Sequence, residues 1–300
     1  MTLNRRQVLS AAVASLLRGQ EPGLPPAYAE SAALDAFTPD ATDEIAIRLG
    51  RFPRRGDATL WVTVCLGDKV YSAALENLKL GSFKGRTPVE TEKATFAVLG
   101  DGEAHMTRTR NAGLLGSARV TAGAHESAEP PPGAGPVRIR IDANFESGHH
   151  PVQARPGRME VMGHAEAVIH VAGRVSRIRG HGKWHEQVGD RPRFAPAFTY
   201  LNVIGDRTGL LAVWRKAGAY GYAWIEDKIV AVKTAQFDPI AARRKFRVEL
   251  ENGTVIDGET VTHRVVSVPI EGRQRPGATV LVTSSIGPMT GHLNDWDPKD

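Results

Sequence analysis

From about residue 43 onward the chain alternates apolar with polar residues at a period of two. No long stretch carries the 3.6-residue period of an amphipathic helix. Apolar, β-branched and aromatic residues dominate the short runs, and Gly, Pro, Asp and Asn punctuate them. The alternation predicts strands over 45–49, 58–66, 70–78, 94–99, 137–145, 159–171 and 174–182. Further strands are predicted over 198–204, 209–214, 219–225, 229–237, 244–250, 260–267 and 278–285. Glu251-Asn252-Gly253 has the Asn-Gly pair of a tight hairpin, because both residues tolerate positive φ. Many short strands at regular spacing make an all-β chain of antiparallel barrels or sandwiches.

The 300 residues can close two such bodies in tandem, each with its own core. Two segments break the pattern: 126–136, with Pro130-Pro131-Pro132-Gly133, and 147–158, with His149, His150, Pro151, Pro156 and Gly157. The second break places the expected domains at 30–155 and 156–300. Hydrophobic residues make up 41% and charged residues 24%, a balance that argues against disorder. Of the net charge of +5, two units belong to the first 29 residues, and the remaining charges of both signs are interleaved. There is no basic stripe, so nucleic acid is not an expected partner. Cys65 is the single cysteine, which excludes an internal disulfide, and it sits within a predicted strand as a small buried hydrophobe.

The first residues read as an address. Arg5-Arg6 precedes a modest apolar run over 8–17, and Ala27-Tyr28-Ala29 has the small-residue pattern of a cleavage site. This is the pattern of a twin-arginine signal peptide over 1–29, which implies the twin-arginine export machinery as a partner and a periplasmic or secreted product. The run is about half the length that spans a bilayer, so no transmembrane anchor is expected.

The densest segment runs from Met159 to Gly189. A strand carrying His164, Glu166 and His170 turns at Gly173, and a second strand leads into Gly180-His181-Gly182-Lys183-Trp184-His185-Glu186-Gln187-Val188-Gly189. This frame resembles the signature of the lipocalin-like superfamily of AttH-type proteins and carotenoid 1,2-hydratases (hydroxyneurosporene synthases), with fungal lipocalin-like Diels-Alderases as more distant members. The signature there is close to Gly-x-Gly-Tyr-His-Asp-His-Asn-Trp-Gly, and the three glycines fall in register here. Segments 47–62 and 198–214 are similar to the starts of that group's first and second barrels. The resemblance implies two lipocalin-like barrels around an apolar small molecule, isoprenoid- or polyketide-like. His185-Glu186 stands where the signature has its Asp-His pair, and Val188 where it has Trp.

Alternate residues of a strand share a face. His181, Lys183, His185 and Gln187 therefore fall on one face, and Trp184 and Glu186 on the other; either face is a candidate for the cavity. His185 and Glu186 are the candidate catalytic pair. A buried Glu186 would have its anion disfavoured, and an imidazole titrates near neutrality, so the two could move protons on an alkene or enol. Hydration, isomerisation or cyclisation of this kind needs no cofactor. Trp184, His181, Gln187, His164 and Glu166 are candidate ligand contacts, with Tyr200 and the stripe Tyr220, Tyr222 and Trp224, which inside a barrel would suit a flat ligand. The alternatives to an enzyme are a carrier of the same molecule and a barrel plugged by its own side chains. No metal is expected: the spacing of His181 and His185 brings both to one ion on a helix, whereas a strand holds them about 13 Å apart, and His149-His150 lies in a loop. Neither Gly100-Asp101-Gly102 nor Gly180-His181-Gly182 has the strand-to-helix setting of a phosphate loop.

Overall fold

A computed structural model describes residues 24–25, 28–84, 92–126, 135–189, 196–266, 268–270, 273–275 and 277–297. Among them there is no helix, and all long-range pairing is antiparallel. The arginine pair of the expected signal and the proline run at 130–132 lie outside the described residues.

The first body contains β1 (Ala29–Phe37), β2 (Asp43–Phe52), β3 (Asp57–Leu66), β4 (Lys69–Lys84), β5 (Lys93–Leu99) and β6 (Glu103–Arg110). It continues with β7 (Leu114–Glu126), β8 (Val137–Ser147), β9 (Val152–Arg155), β10 (Arg158–Val171) and β11 (Arg174–Gly189). Strands β1 to β8 follow one another in order. Because β11 pairs with both β1 and β10, the sheet closes on itself. The second body is a closed barrel of β12 (Phe198–Ile204), β13 (Thr208–Arg215), β14 (Gly218–Ile225), β15 (Lys228–Phe237), β16 (Arg243–Leu250) and β17 (Val255–Val265). Two short strands, β18 (Val268–Ile270) and β19 (Arg273–Arg275), form a separate ribbon. Then β20 (Gly277–Ser284) and β21 (Gly287–Trp296) complete the barrel. The all-β, two-barrel expectation is met.

The change of body falls between β11 and β12, after Gly189, so the expected boundary at 155/156 lies inside the first sheet. The Pro/Gly break at 147–158 is a tight reversal into β9 and β10, not a linker. Gly157 makes it possible: its φ is 71°, and a Cβ there would sit 2.6 Å from the Val188 carbonyl oxygen. β1 was absent from the predicted strands because its Ala-rich sequence carries little β signal. All nine of its residues are nevertheless buried. Its inward face meets the first core, and its outward face meets the second barrel.

Both barrels are filled by their own side chains. Leu34, Ile47, Leu60, Met106, Ile141 and Trp184 belong to the first core, and Leu201, Leu210, Ala223, Phe246, Val248 and Val282 to the second. The cavity described below lies between the bodies, not in the greasy interior of a barrel as expected from the sequence. A third cluster joins the bodies, where Met162 of β10 packs with Ile204, Leu211, Tyr222 and Trp224 on the outer face of the second barrel. Polar links cross the same seam. Buried Glu44 of β2 accepts a hydrogen bond from Thr279 of β20, and His292 Nε2 of β21 lies 3.6 Å from it. Arg264 donates to the carbonyls of Thr42 (3.0 Å) and Gly67 (2.5 Å).

Candidate functional site

Strand β11 organises the site, because each of its faces looks into a different environment. Its register sets Lys183 between Asp35 and Met162, His185 between Ala33 and Glu160, and Gln187 between Ser31 and Arg158. This face points out of the first barrel toward the second. The glycines of the frame allow close packing at its start: a Cβ at Gly180 would lie 2.3 Å from the Phe37 carbonyl oxygen, and one at Gly182 would lie 2.6 Å from Ala165 Cβ. Gly189 has open space around it.

The other face holds Trp184 and Glu186, which point into the first core. Glu186 is fully buried, and Arg108 of β6 donates to it twice, through Nε at 2.7 Å and an Nη at 3.1 Å. Trp184 Nε1 donates to the same carboxylate at 2.9 Å. The burial expected of Glu186 is present, but a guanidinium answers it. His185 and Glu186, neighbours in sequence, thus serve opposite sides of one sheet.

Between the two bodies lies a partly open cavity of about 140 Å3. His185, Lys183 and Gln187 stand in one wall, and Tyr200, Tyr220 and Phe198 of the second barrel in the other. Trp61 adds a further ring beside Arg48, whose guanidinium carbon is 5.7 Å from the indole centroid. Lys183 crosses the seam: its Nζ lies 3.0 Å from Asp35 and donates to the Tyr200 hydroxyl at 2.8 Å. Burial alone would push the Asp35 carboxyl up, but the charges of Lys183 and His292 outweigh it and hold the group below its ordinary value. Burial likewise opposes the Lys183 ammonium, while Asp35, Tyr200 and Glu160 raise its pKa. The Tyr200 phenol is pushed up by burial and by Glu160, against Lys183 and Arg158. The cavity therefore presents an ammonium and an imidazole from one wall and a neutral phenol from the other.

The remaining sequence-predicted residues lie elsewhere. Tyr222 and Trp224 are buried between the bodies, packed on His149 at 5.4 and 5.2 Å between ring centroids. The expected aromatic stripe is thus on the outside of its barrel, because Leu210, Ala212 and Ala223, of the opposite parity, fill the inside. Only Tyr220 of the stripe reaches the cavity. His164 and Glu166 face solvent, and Glu166 pairs there with Arg179 at 2.7 Å. His181 is buried outside the cavity wall, 4.0 Å from Asp206. Cys65 is buried, donating to Glu44 at 3.4 Å, and desolvation pushes its thiol far above the ordinary range. Among the described residues no group of three His, Cys, Asp or Glu is placed to hold a metal ion.

Sequence reasoning missed the cations of the wall: Lys183 as a site residue, with Arg155, Arg158 and Arg215. Lys183 was legible by parity, since it shares the face of His185. The arginines lie at strand ends, Arg155 and Arg158 within the break at 147–158 and Arg215 just past a predicted strand, and nothing in their spacing marks them.

No protein-family model and no curated protein matches the chain. Solved structures match it in fold. CghA has 14% identity and a TM-score of 0.55, over 91% of this chain and 87% of that one. CghA with Sch210972 gives 13% and 0.54, over 90% and 87%. An AttH-like protein from Nitrosomonas europaea gives 11% and 0.45, over 99% and 97%. The likeness is one of architecture: over most of its length the chain has the fold of CghA.

Proposed function

We propose that the chain binds a small, largely lipophilic organic molecule, isoprenoid- or polyketide-like, in the cavity between its two β bodies, and that it does so in the periplasm or outside the cell. One observation carries the reading: the facing outer walls of the two barrels leave a cavity lined by Trp61, Phe198, Tyr200 and Tyr220. Apolar rings with a few fixed polar groups are the usual make-up of small-molecule sites. An apolar cavity of about 150 Å3 accommodates a benzene ring, so the space here takes a ring-sized part of a ligand and leaves the rest at the mouth. The structure of CghA with Sch210972 supports the reading, as a protein of this fold with a small molecule. The twin-arginine pattern supports the compartment.

The test is mass spectrometry of small molecules extracted from the natively exported protein, compared with an Ala46→Trp variant that fills the cavity. A lipophilic molecule held by the first and lost from the second is expected. The same molecule in both, or none in either, would overturn the assignment. Cell fractionation tests the address, and purely cytosolic protein would refute it.

A second reading, proton-transfer catalysis, is favoured by the Lys183–Tyr200 hydrogen bond beside His185. Lys183 donates to the phenol oxygen, so the phenol's own proton remains to be given to a ligand oxygen or alkene, with His185 as the partner base. Tyr200→Phe and His185→Gln would each then lower turnover by ~10²–10⁴ while binding persists. A carrier would show binding and no turnover with any of the three proteins.

A further inference from the structure

The cavity wall is markedly cationic, and its charges are unevenly answered. Arg48, Arg155, Arg158, Lys183 and Arg215 line it, against the carboxylates of Asp35 and Glu44. Asp35 is taken by Lys183, and Glu160, behind the wall, by Arg158. Glu44 is occupied at the seam by Thr279, His292 and Arg264. Arg48 donates to Ser31 at 3.4 Å and lies beside the Trp61 ring, which leaves the guanidiniums of Arg155 and Arg215. Arg155 ends β9 of the first body and Arg215 ends β13 of the second. Among the described residues neither meets a carboxylate. Each packs on the ring of Tyr220, with guanidinium carbons 5.9 and 5.3 Å from its centroid. The Nε–H of each is buried and meets no acceptor among the described residues. Burial lowers the Arg155 pKa, and the charges of Arg158 and Arg215 add to this. Two half-buried like charges facing one space, with donors unused, are unfavourable unless an anion completes the arrangement.

Building on the proposed ligand site, we infer that Arg155 and Arg215 form an oxyanion subsite that holds a carboxylate-type group of the ligand, with the Tyr220 ring as its floor. The planar fork of a guanidinium presents two parallel N–H donors that match a carboxylate, and two such forks from opposite bodies would clasp it from both sides. The neighbouring rings of Phe198 and Tyr220 suit an unsaturated or aromatic body attached to that group. The ligand is thereby narrowed from any lipophilic molecule to an amphipathic organic acid. Because one arginine comes from each body, the subsite exists only when the two bodies are docked.

The test uses a matched pair of probes, trans-cinnamate and its neutral isostere cinnamamide, titrated against the full chain and followed by tryptophan fluorescence, with Trp61 in the wall as reporter. Cinnamate is expected to bind at least ~10-fold more tightly than cinnamamide. Arg155→Gln and Arg215→Gln should each weaken cinnamate by ~10-fold or more and leave cinnamamide within about 3-fold. Arg215→Lys, which keeps the charge and loses the fork, should recover only part of the loss. Circular dichroism of each variant identifies one that has not folded, and the remaining variants then decide. Equal affinity of the two probes for the unaltered protein would overturn the oxyanion subsite alone. So would equal losses of both probes in the variants. Binding of neither probe would overturn the ligand site as well.

Discussion

Replacing Glu186 with Gln separates the two faces of β11. The side chains of Arg108 and Glu186 are both 0% exposed, and their two contacts at 2.7 and 3.1 Å leave no room for water between them. Glutamine keeps one acceptor but turns an NH2 group toward the guanidinium donors, and it removes the buried carboxylate charge that faces Arg108. Breaking a buried pair in this way costs about 3–5 kcal/mol. With a urea dependence of about 2 kcal/mol per molar, the unfolding midpoint should fall by about 2 M. Trp184, which donates to Glu186, is a built-in fluorescent reporter. The double variant Arg108→Met/Glu186→Gln removes both members of the pair and should recover much of the loss. Ligand capture by the folded fraction should be unchanged, since Glu186 faces away from the cavity. A Glu186→Gln protein with an unaltered midpoint and no ligand capture would refute this assignment and return Glu186 to the site.

Three further outcomes follow from buried groups. The Asp35–Lys183 pair contributes stability between the ordinary values of its members, 3.8 and 10.5. Asp35 is held low, so its share is lost as pH falls below about 3.8. Lys183 is held high, so its share is lost only as pH rises beyond 10.5. An Asp35→Asn/Lys183→Met variant should flatten both limbs of a stability–pH curve, and unchanged limbs would contradict the pairing. His149, packed on Tyr222 and Trp224 and accepting the Met162 N–H at 3.0 Å, is pulled by burial from 6.5 to about 4. The unfolded chain takes up that proton first, so stability should decline by about 2 kcal/mol as pH drops from 6.5 to 4. A His149→Gln variant should lose that decline, as read by urea unfolding at a series of pH values. Cys65 should resist iodoacetamide in the native state and react fully in urea; rapid native labelling by mass spectrometry would contradict its burial.

The parts of the site that were legible share one property: they depend on local periodicity. Alternation alone put Lys183, His185 and Gln187 on one face and Trp184 with Glu186 on the other, and that division holds in the folded chain. What alternation lacks is a pointer to the ligand side when both faces are covered. Strand β1 shows the difficulty most clearly, because all of its residues are buried and neither face reads as solvent. The same ambiguity sent the Tyr220–Trp224 stripe to the inside of its barrel in the sequence reading and to the outside in the structure.

The amino-acid sequence by itself determined the β class, the turns, the glycine frame at 180–189 and the parity of each strand, because these rest on contacts between near neighbours. Only the tertiary structure decided that the two barrels enclose a cavity between them. It brought Arg108 to Glu186 across 78 residues and set Arg155 and Arg215 of different bodies around one ring. Those pairings join strands remote in the chain, and side-chain charge is long-ranged only in space. A pattern of period two therefore carries no record of which distant charge will face which.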